Sequence, residues 1–297
     1  MNILISGANG FVGSSLVPGL EKTGHHVIPL LRGKLGQAGA SWRPDEEKIN
    51  LGSAGPIHAV IHLAGANVAR RWTKRVKDEV YRSRVEGTKL LCDAIARLPM
   101  KPKVLLCASA TGYYGNRGDE ILDESSWPGH GFLPDVCKNW EAATHSAVAA
   151  GIRVVNMRFG IVLGRGGGAL GRMVPLFRLG MGGPLGDGHY HWSWIAMDDV
   201  TGAVEHALGN EQLHGPVNFV SPNPVRNREF TKALARVLKR PAFFRVQPFA
   251  LKVLFGQMAE EALLCSFRVL PKRLEESGYK FKFPELEGAL KDIVDSA

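Results

Sequence analysis

Gly7, Gly10 and Gly13 stand three residues apart in ISGANGFVG, directly behind the apolar run at residues 2–5. Bare backbone at that spacing can approach a pyrophosphate closely, and a helix beginning there presents unpaired N–H groups and partial positive charge to it. The spacing therefore predicts a dinucleotide-binding loop, with a plain glycine-rich turn as the competing reading. The end of the second strand decides which dinucleotide. A carboxylate there would accept from the ribose hydroxyls of NAD, but PLLRGK offers Arg32, with Lys34 close behind and no carboxylate before Asp45. A guanidinium can fork onto a 2′-phosphate, so NADP(H) is expected over NAD.

Other reactive side chains are more ambiguous. Tyr113 and Tyr114 follow the apolar run VLLCA of residues 104–108. Ligands of open α/β sheets bind beyond the carboxyl ends of the strands, so either phenol could supply a proton there, or simply pack. Val80, Arg84, Thr88, Leu91 and Ile95 form a helical stripe in which one guanidinium interrupts a core-facing face. A buried cation there needs an anionic or hydrogen-bonding partner. His189, His191, Trp192 and Trp194 suggest an aromatic-lined substrate pocket or ordinary core packing; no third and fourth ligand at sensible spacing supports zinc, and no metal is expected.

The elements that must carry these residues alternate in the manner of a parallel α/β sheet. Strands are expected over 2–6, 26–31, 59–63, 104–108 and 154–157, and helices over 11–22, 73–97 and 135–150. Pro18 inside the first helix predicts a kink, and Pro29 inside the second strand an irregular ladder. Beyond the last strand, GIVLGRGGGALGRMV and LGMGGPLGDGHYHW read as a mobile, glycine-dense passage into a second lobe. AMDDVTGAVEHAL, residues 196–208, reads as an Asp-capped helix returning to the main sheet.

Composition limits the remaining classes. A chain of 297 residues, 45% hydrophobic and 22% charged, can bury a full core as one large domain or two unequal ones. The net charge of +9 is scattered among acidic residues, apart from a denser stretch over 70–89, and no basic motif interleaved with aromatics accompanies it. Nucleic acid is not expected as a partner. No apolar run approaches the roughly 20 residues needed to span a bilayer, so no membrane partner is expected either. The four cysteines lack metal-ligand spacing, which predicts reduced thiols and a cytoplasmic setting.

Several segments together resemble a known family. GANGFVG, HLAGAN (62–67), SRVEGTKLL (83–91) and ASATGYYG (108–115) are similar to the extended short-chain dehydrogenase/reductases, which include sugar epimerases and dehydratases. CKNWEAA, RFGIVLGRGGGAL and GGPLGDGHYHWSWI resemble more closely the atypical SDR39U1-like or YfcH-like group of epimerase family proteins. The resemblance covers essentially the whole chain. It implies a Rossmann doubly wound parallel sheet with a smaller C-terminal α+β lobe, divided as 1–163, to which 197–208 returns, and 164–297.

For the cofactor, the resemblance implies Gly7, Gly10, Phe11, Val12 and Gly13 around the pyrophosphate, Arg32 at the 2′-phosphate, Leu63, Ala64 and Gly65 beside the adenosine half, and further contacts from Glu79, Arg84 and Ile161. The catalytic set departs from the superfamily. Lys138 fits its lysine, but Pro134 stands where the tyrosine four residues earlier belongs. Ser109 matches the superfamily's serine in one register and Ala110 in the other. Lys138, Ser109, Tyr113 and Tyr114 are thus the catalytic candidates. The expected function is that of an NADP-dependent oxidoreductase or epimerase on a small carbonyl or sugar-nucleotide-like substrate, with a non-catalytic NADP-binding protein as the alternative. The family pattern also allows a homodimer through the two long helices.

Overall fold

The computed structural model describes residues 1–33 and 39–295. Lys34, singled out above beside Arg32, lies outside them. Strands β1 (Asn2–Ser6), β2 (His26–Arg32), β3 (Ser41–Arg43), β4 (Lys48–Asn50), β5 (Ala59–His62), β6 (Val104–Ala110), β7 (Ile121–Leu122) and β8 (Arg153–Phe159) are followed by β9 (Ile161–Leu163), β10 (His191–Trp192), β11 (Trp194–Ala196), β12 (Gly215–Phe219), β13 (Val225–Arg226) and β14 (Arg268–Val269). The helices are α1 (Phe11–Lys22), α2 (Lys74–Ala96), α3 (Phe132–Ala142), α4 (His145–Ala149), α5 (Gly168–Arg178), α6 (Met197–Gly209), α7 (Asn227–Leu238), α8 (Pro248–Phe255), α9 (Lys272–Glu276) and α10 (Leu286–Asp295).

Eight strands form the main sheet in the order β12-β8-β6-β5-β1-β2-β3-β4, parallel throughout except for the antiparallel β3–β4 edge. Alternate side chains go to opposite faces, as a pleated strand requires. Ile3, Ile5, Ile61 and Leu106 pack beneath α1 and α6, whereas Leu4, Val60 and Leu105 pack beneath α2, α3 and α4. This is a doubly wound Rossmann sheet. Chain order reverses at β1, between β2 and β5, and places the glycine loop at the switch point where such sheets bind ligands.

Local details depart from expectation for identifiable reasons. The segment expected as one helix over 135–150 is two helices, divided at Ala143–Thr144, and the first begins earlier, at Phe132. The β1–β2 ladder is regular through Pro29, which sits opposite Ile5. Leu31 N–H donates outward to Ala40, so the donor Pro29 lacks would also point away from β1, before β3 begins. α1 runs over 11–22 with Pro18 inside it. The first glycine-dense passage is ordered as β9 and α5: Gly164, Gly167 and Gly168 close around the Phe11 ring, and a Cβ on any of them would lie within 3.1 Å of it. α6 begins at Ala196 without a side-chain cap, and Asp199 instead accepts from the backbone N–H groups of Lys282 (2.6 Å) and Phe283 (2.9 Å). A further core joins α5, β10, β11, α7 and α10.

Candidate nucleotide cleft and active site

The cleft is built by two loops in contact, those following β1 and β5. Gly7 has φ +75°, and a Cβ there would meet Leu63 C and Ala64 N at 2.9 Å. Gly13 is tighter, because a Cβ would stand 2.2 Å from Gly7 O. Gly10 is the N-cap of α1: Ser14 N–H donates to its carbonyl, and no side chain caps the helix. The N–H groups of Phe11, Val12 and Gly13 precede the first intrahelical bond and are left for a ligand. Phe11 thus has its N–H outside the intrahelical ladder and its ring packed against the 164–168 segment.

The cleft is about 590 Å³, with Gly7, Gly10, Ala64 and Gly65 on one side and Arg32, Trp42, Glu79 and Ser83 on the other. It adjoins an outer groove of about 770 Å³ that shares Arg32, Glu79 and Ser83 and adds Arg75. The Arg32 side chain is exposed and has no hydrogen-bond or ion-pair partner among the described residues. Glu79 pairs with Arg70 at 2.6 Å. Leu63 N–H donates to Ser6 O, and Leu63 is partly buried against both faces of the sheet.

Arg84 answers the question its stripe raised. Among the described residues no carboxylate pairs with it; Nη1 donates to Ala66 O at 3.0 Å, and the guanidinium lies 5.0 Å from the Trp140 ring. Burial lowers its pKa below the ordinary arginine value. It ties the loop after β5 to α2. Below that loop, Ala64 N–H donates to Ser6 Oγ (3.4 Å), which meets His62 Nδ1 at 2.5 Å, while His62 Nε2 meets Thr88 Oγ1 at 3.0 Å. Trp140 Nε1 donates to the same hydroxyl. Burial brings the pKa of His62 down to about 4, so the ring is neutral and bridges two hydroxyls.

Beyond β6 the candidate catalytic side chains separate. A 3₁₀ turn over Thr111–Tyr114 packs on the first turns of α3. Tyr114 is fully buried; its hydroxyl donates to Asn218 Oδ1 at 2.7 Å and accepts from Arg158 Nη1 at 2.9 Å, and burial raises its pKa. Ser109 is also buried, donating to Glu141 at 2.7 Å. Glu141 holds Arg158 by two bonds of 2.8 Å. Burial works against the Arg158 charge, but Glu141 and Tyr114 outweigh it and hold the guanidinium above its usual pKa. Tyr113 is only half-buried, with the Arg158 guanidinium 3.5 Å from its ring centroid. Its hydroxyl has no partner among the described residues. Lys138 lies exposed in the second turn of α3, and Pro134 is buried beside Gly115. Ile161 opens β9, opposite Trp194.

Trp192 and Trp194 belong to the hydrophobic core of the second half. Both are buried; Trp192 stands edge-on to Phe230 at 5.3 Å, and Trp194 Nε1 donates to Asn223 O. His191 is buried against Asp119, and His189 meets Arg226. Sequence reasoning missed Trp42, which walls the cleft, and the Glu141–Arg158 pair behind the tyrosines. A tryptophan in a three-residue strand carries no local signal of a cleft. Glu141 stands 17 residues before Arg158, and only the strand–helix–strand crossover brings them together.

Against this geometry, residues 3–219 match the model of the NAD dependent epimerase/dehydratase family. The chain belongs to this family. Residues 248–293 match a second model, a domain of unknown function, DUF1731. Among family relatives, the human epimerase family protein SDR39U1 is 37% identical over 298 residues, covering 99% of this chain and 100% of that protein. The Mycobacterium tuberculosis epimerase family protein MT2273 is 37% identical over 290 residues, covering 97% and 96%. A crystal structure of the human protein with NADPH superimposes with a TM-score of 0.89 at 35% identity, covering both chains completely.

Proposed function

We propose that the chain binds NADP(H) in the cleft at the β1–β2–β5 switch point and acts as an oxidoreductase or epimerase on a small carbonyl or sugar-nucleotide-like substrate. The observation carrying this reading is the pairing of an uncapped α1 N-terminus, approached by side-chain-free backbone, with an unpartnered Arg32 at the end of β2. The NADPH in the human relative's crystal structure supports the same cofactor. Phe11, Val12 and Gly13 would donate their N–H groups to the pyrophosphate, and Arg32 would pair with the 2′-phosphate. Leu63, Ala64 and Gly65 would lie along the adenosine half, with Glu79 at the rim and Arg84 fixing the loop; Ile161 would border the nicotinamide end.

When bound, the cofactor supplies a hydride donor or acceptor; the protein must then handle a proton. Tyr113 is the phenol placed to do so. Its hydroxyl has no partner among the described residues, and the Arg158 guanidinium stacked 3.5 Å from its ring centroid fixes the ring's position. Lys138 would hold the ribose or the phenol hydroxyl, and Ser109 would act through Glu141 and Arg158. Residues after 163 would form the substrate-side lobe, except α6 and β12, which belong to the main sheet and the helix layer on it rather than to a separate lobe. The buried free thiols Cys92, Cys107, Cys137 and Cys265 support a reducing, cytoplasmic setting.

The test is a screen of carbonyls and sugar nucleotides by NADPH absorbance, followed by Tyr113→Phe. Turnover should fall about a hundredfold with NADPH affinity little changed. Wild-type turnover in Tyr113→Phe would remove the phenol from the chemistry. Pro134, buried where the superfamily keeps its tyrosine, favours a second reading as a non-catalytic NADP-binding protein. Tight NADPH binding with no turnover across the screen would establish that reading instead.

A further inference from the structure

Two segments of the second half hold large apolar side chains in water next to one another. α8 is apolar around most of its circumference, yet Leu251 is its one buried residue. A helix of that kind belongs inside protein or lipid. Phe249 and Leu254 are exposed on it, five residues apart and so within roughly 140° of its surface. Phe243 and Phe244 precede it, and Phe244 N–H donates to Gly182 O at 3.2 Å, which sets them beside Leu179 and Met181. Phe243 is 84% exposed, Phe249 76% and Leu179 72%. Side chains that free hold a large apolar surface in water.

The face is built rather than frayed. Arg71 Nη1 donates to Val253 O at 2.5 Å, Lys77 bonds Gln257, and Leu251 packs on Ala259 and Leu264. Cations border it. Arg178, Lys239, Arg240 and Arg245 are exposed, and none forms an ion pair among the described residues. Of the carboxylates near α8, Glu260 is taken by Lys252 at 2.8 Å, Glu261 accepts from Leu133 N–H at 2.8 Å, and Asp187 stands exposed on the loop beside Pro248, so the cations outnumber the free carboxylate. A second copy docked face to face would bring these unpaired cations against their own kind, whereas an anionic surface would match them.

We propose that this face docks on an anionic lipid bilayer, with Phe243, Phe249 and Leu254 entering the boundary between headgroups and acyl chains and the four cations meeting lipid phosphates. Among the described residues no helix is long and apolar enough to cross a membrane, and docking of this kind needs none. The expectation of no membrane partner rested on spanning length alone.

Sedimentation of the full chain with vesicles of phosphatidylcholine, alone or mixed with phosphatidylglycerol, tests this. Partitioning should be about tenfold stronger on the anionic vesicles and weaken as salt rises. A Phe243→Ser/Phe249→Ser variant should lose at least about fivefold in partitioning while keeping its melting temperature and NADPH affinity. A Lys101→Glu/Lys103→Glu variant, altered just before β6 at the opposite end of the sheet, should keep most of its binding. Absence of vesicle binding, an unchanged Phe variant, or an equal loss in the lysine variant would overturn the proposal. So would self-association without vesicles that the Phe variant abolishes, because the occupant would then be a second copy.

Discussion

Tyr113 and Tyr114 are adjacent in sequence and alike in chemistry, yet their surroundings separate them. The Tyr114 hydroxyl is spent on Asn218 and Arg158 in the core. Tyr114→Phe should therefore cost about 1–3 kcal/mol of unfolding free energy in denaturant titration, because it strands two buried partners. A stability unchanged within about 0.5 kcal/mol would show that the network carries little. His62 makes a pH-dependent counterpart. Its pKa is about 4 in the fold against an ordinary 6.5, so the unfolded chain binds the extra proton between those values. Stability is full above 6.5 and declines as pH falls toward 4, by about 3 kcal/mol in total. The wild type should lose more than His62→Gln across that window; parallel curves for the two proteins would contradict the buried neutral ring. None of this was legible in sequence, since burial decides it and adjacent tyrosines look equivalent. That Arg32 ends β2 and lines the cleft was legible, because a strand's end can be read from its apolar run.

The loop from β1 into α1 shows how one spacing serves two physical needs. Gly13 is required by the fold: a Cβ would drive into Gly7 O, and Gly13→Ala should lower the melting temperature as well as NADPH affinity. Gly10 has an ordinary φ of −78° and faces the cleft, so Gly10→Val should leave the circular dichroism spectrum intact and abolish NADPH binding. Retained binding in a folded Gly10→Val protein would exclude the loop from the site. The long central strands were readable as short apolar runs because both faces of the sheet are covered. The β3–β4 hairpin was not, because three-residue strands give no period to detect. The α3–α4 break also escaped notice, since no glycine or proline marks it. Trp192 and Trp194 went to the core rather than to a pocket, a choice their residue type cannot announce.

The long helices and α8 present different surfaces. The outer face of α2 carries paired charges, Arg82 with Glu86 and Lys89 with Asp93, so a dimer through the long helices would have to bury or rearrange them. Large exposed apolar side chains gather on α8 and beside it, while others, such as Trp127 and Met100, stand elsewhere. The sheet's reversal at β1 gathers the glycine loop, the end of β2 and the loop after β5 into one cleft, and the account rests on what that cleft prefers to hold. Calorimetry of the wild type and Arg32→Asp with NADPH and NADH examines it directly. The wild type should bind NADPH at least roughly tenfold, about 1.4 kcal/mol, more tightly than NADH, and Arg32→Asp should erase that preference. Equal affinity of the wild type for the two cofactors would contradict the assignment of Arg32 to a 2′-phosphate.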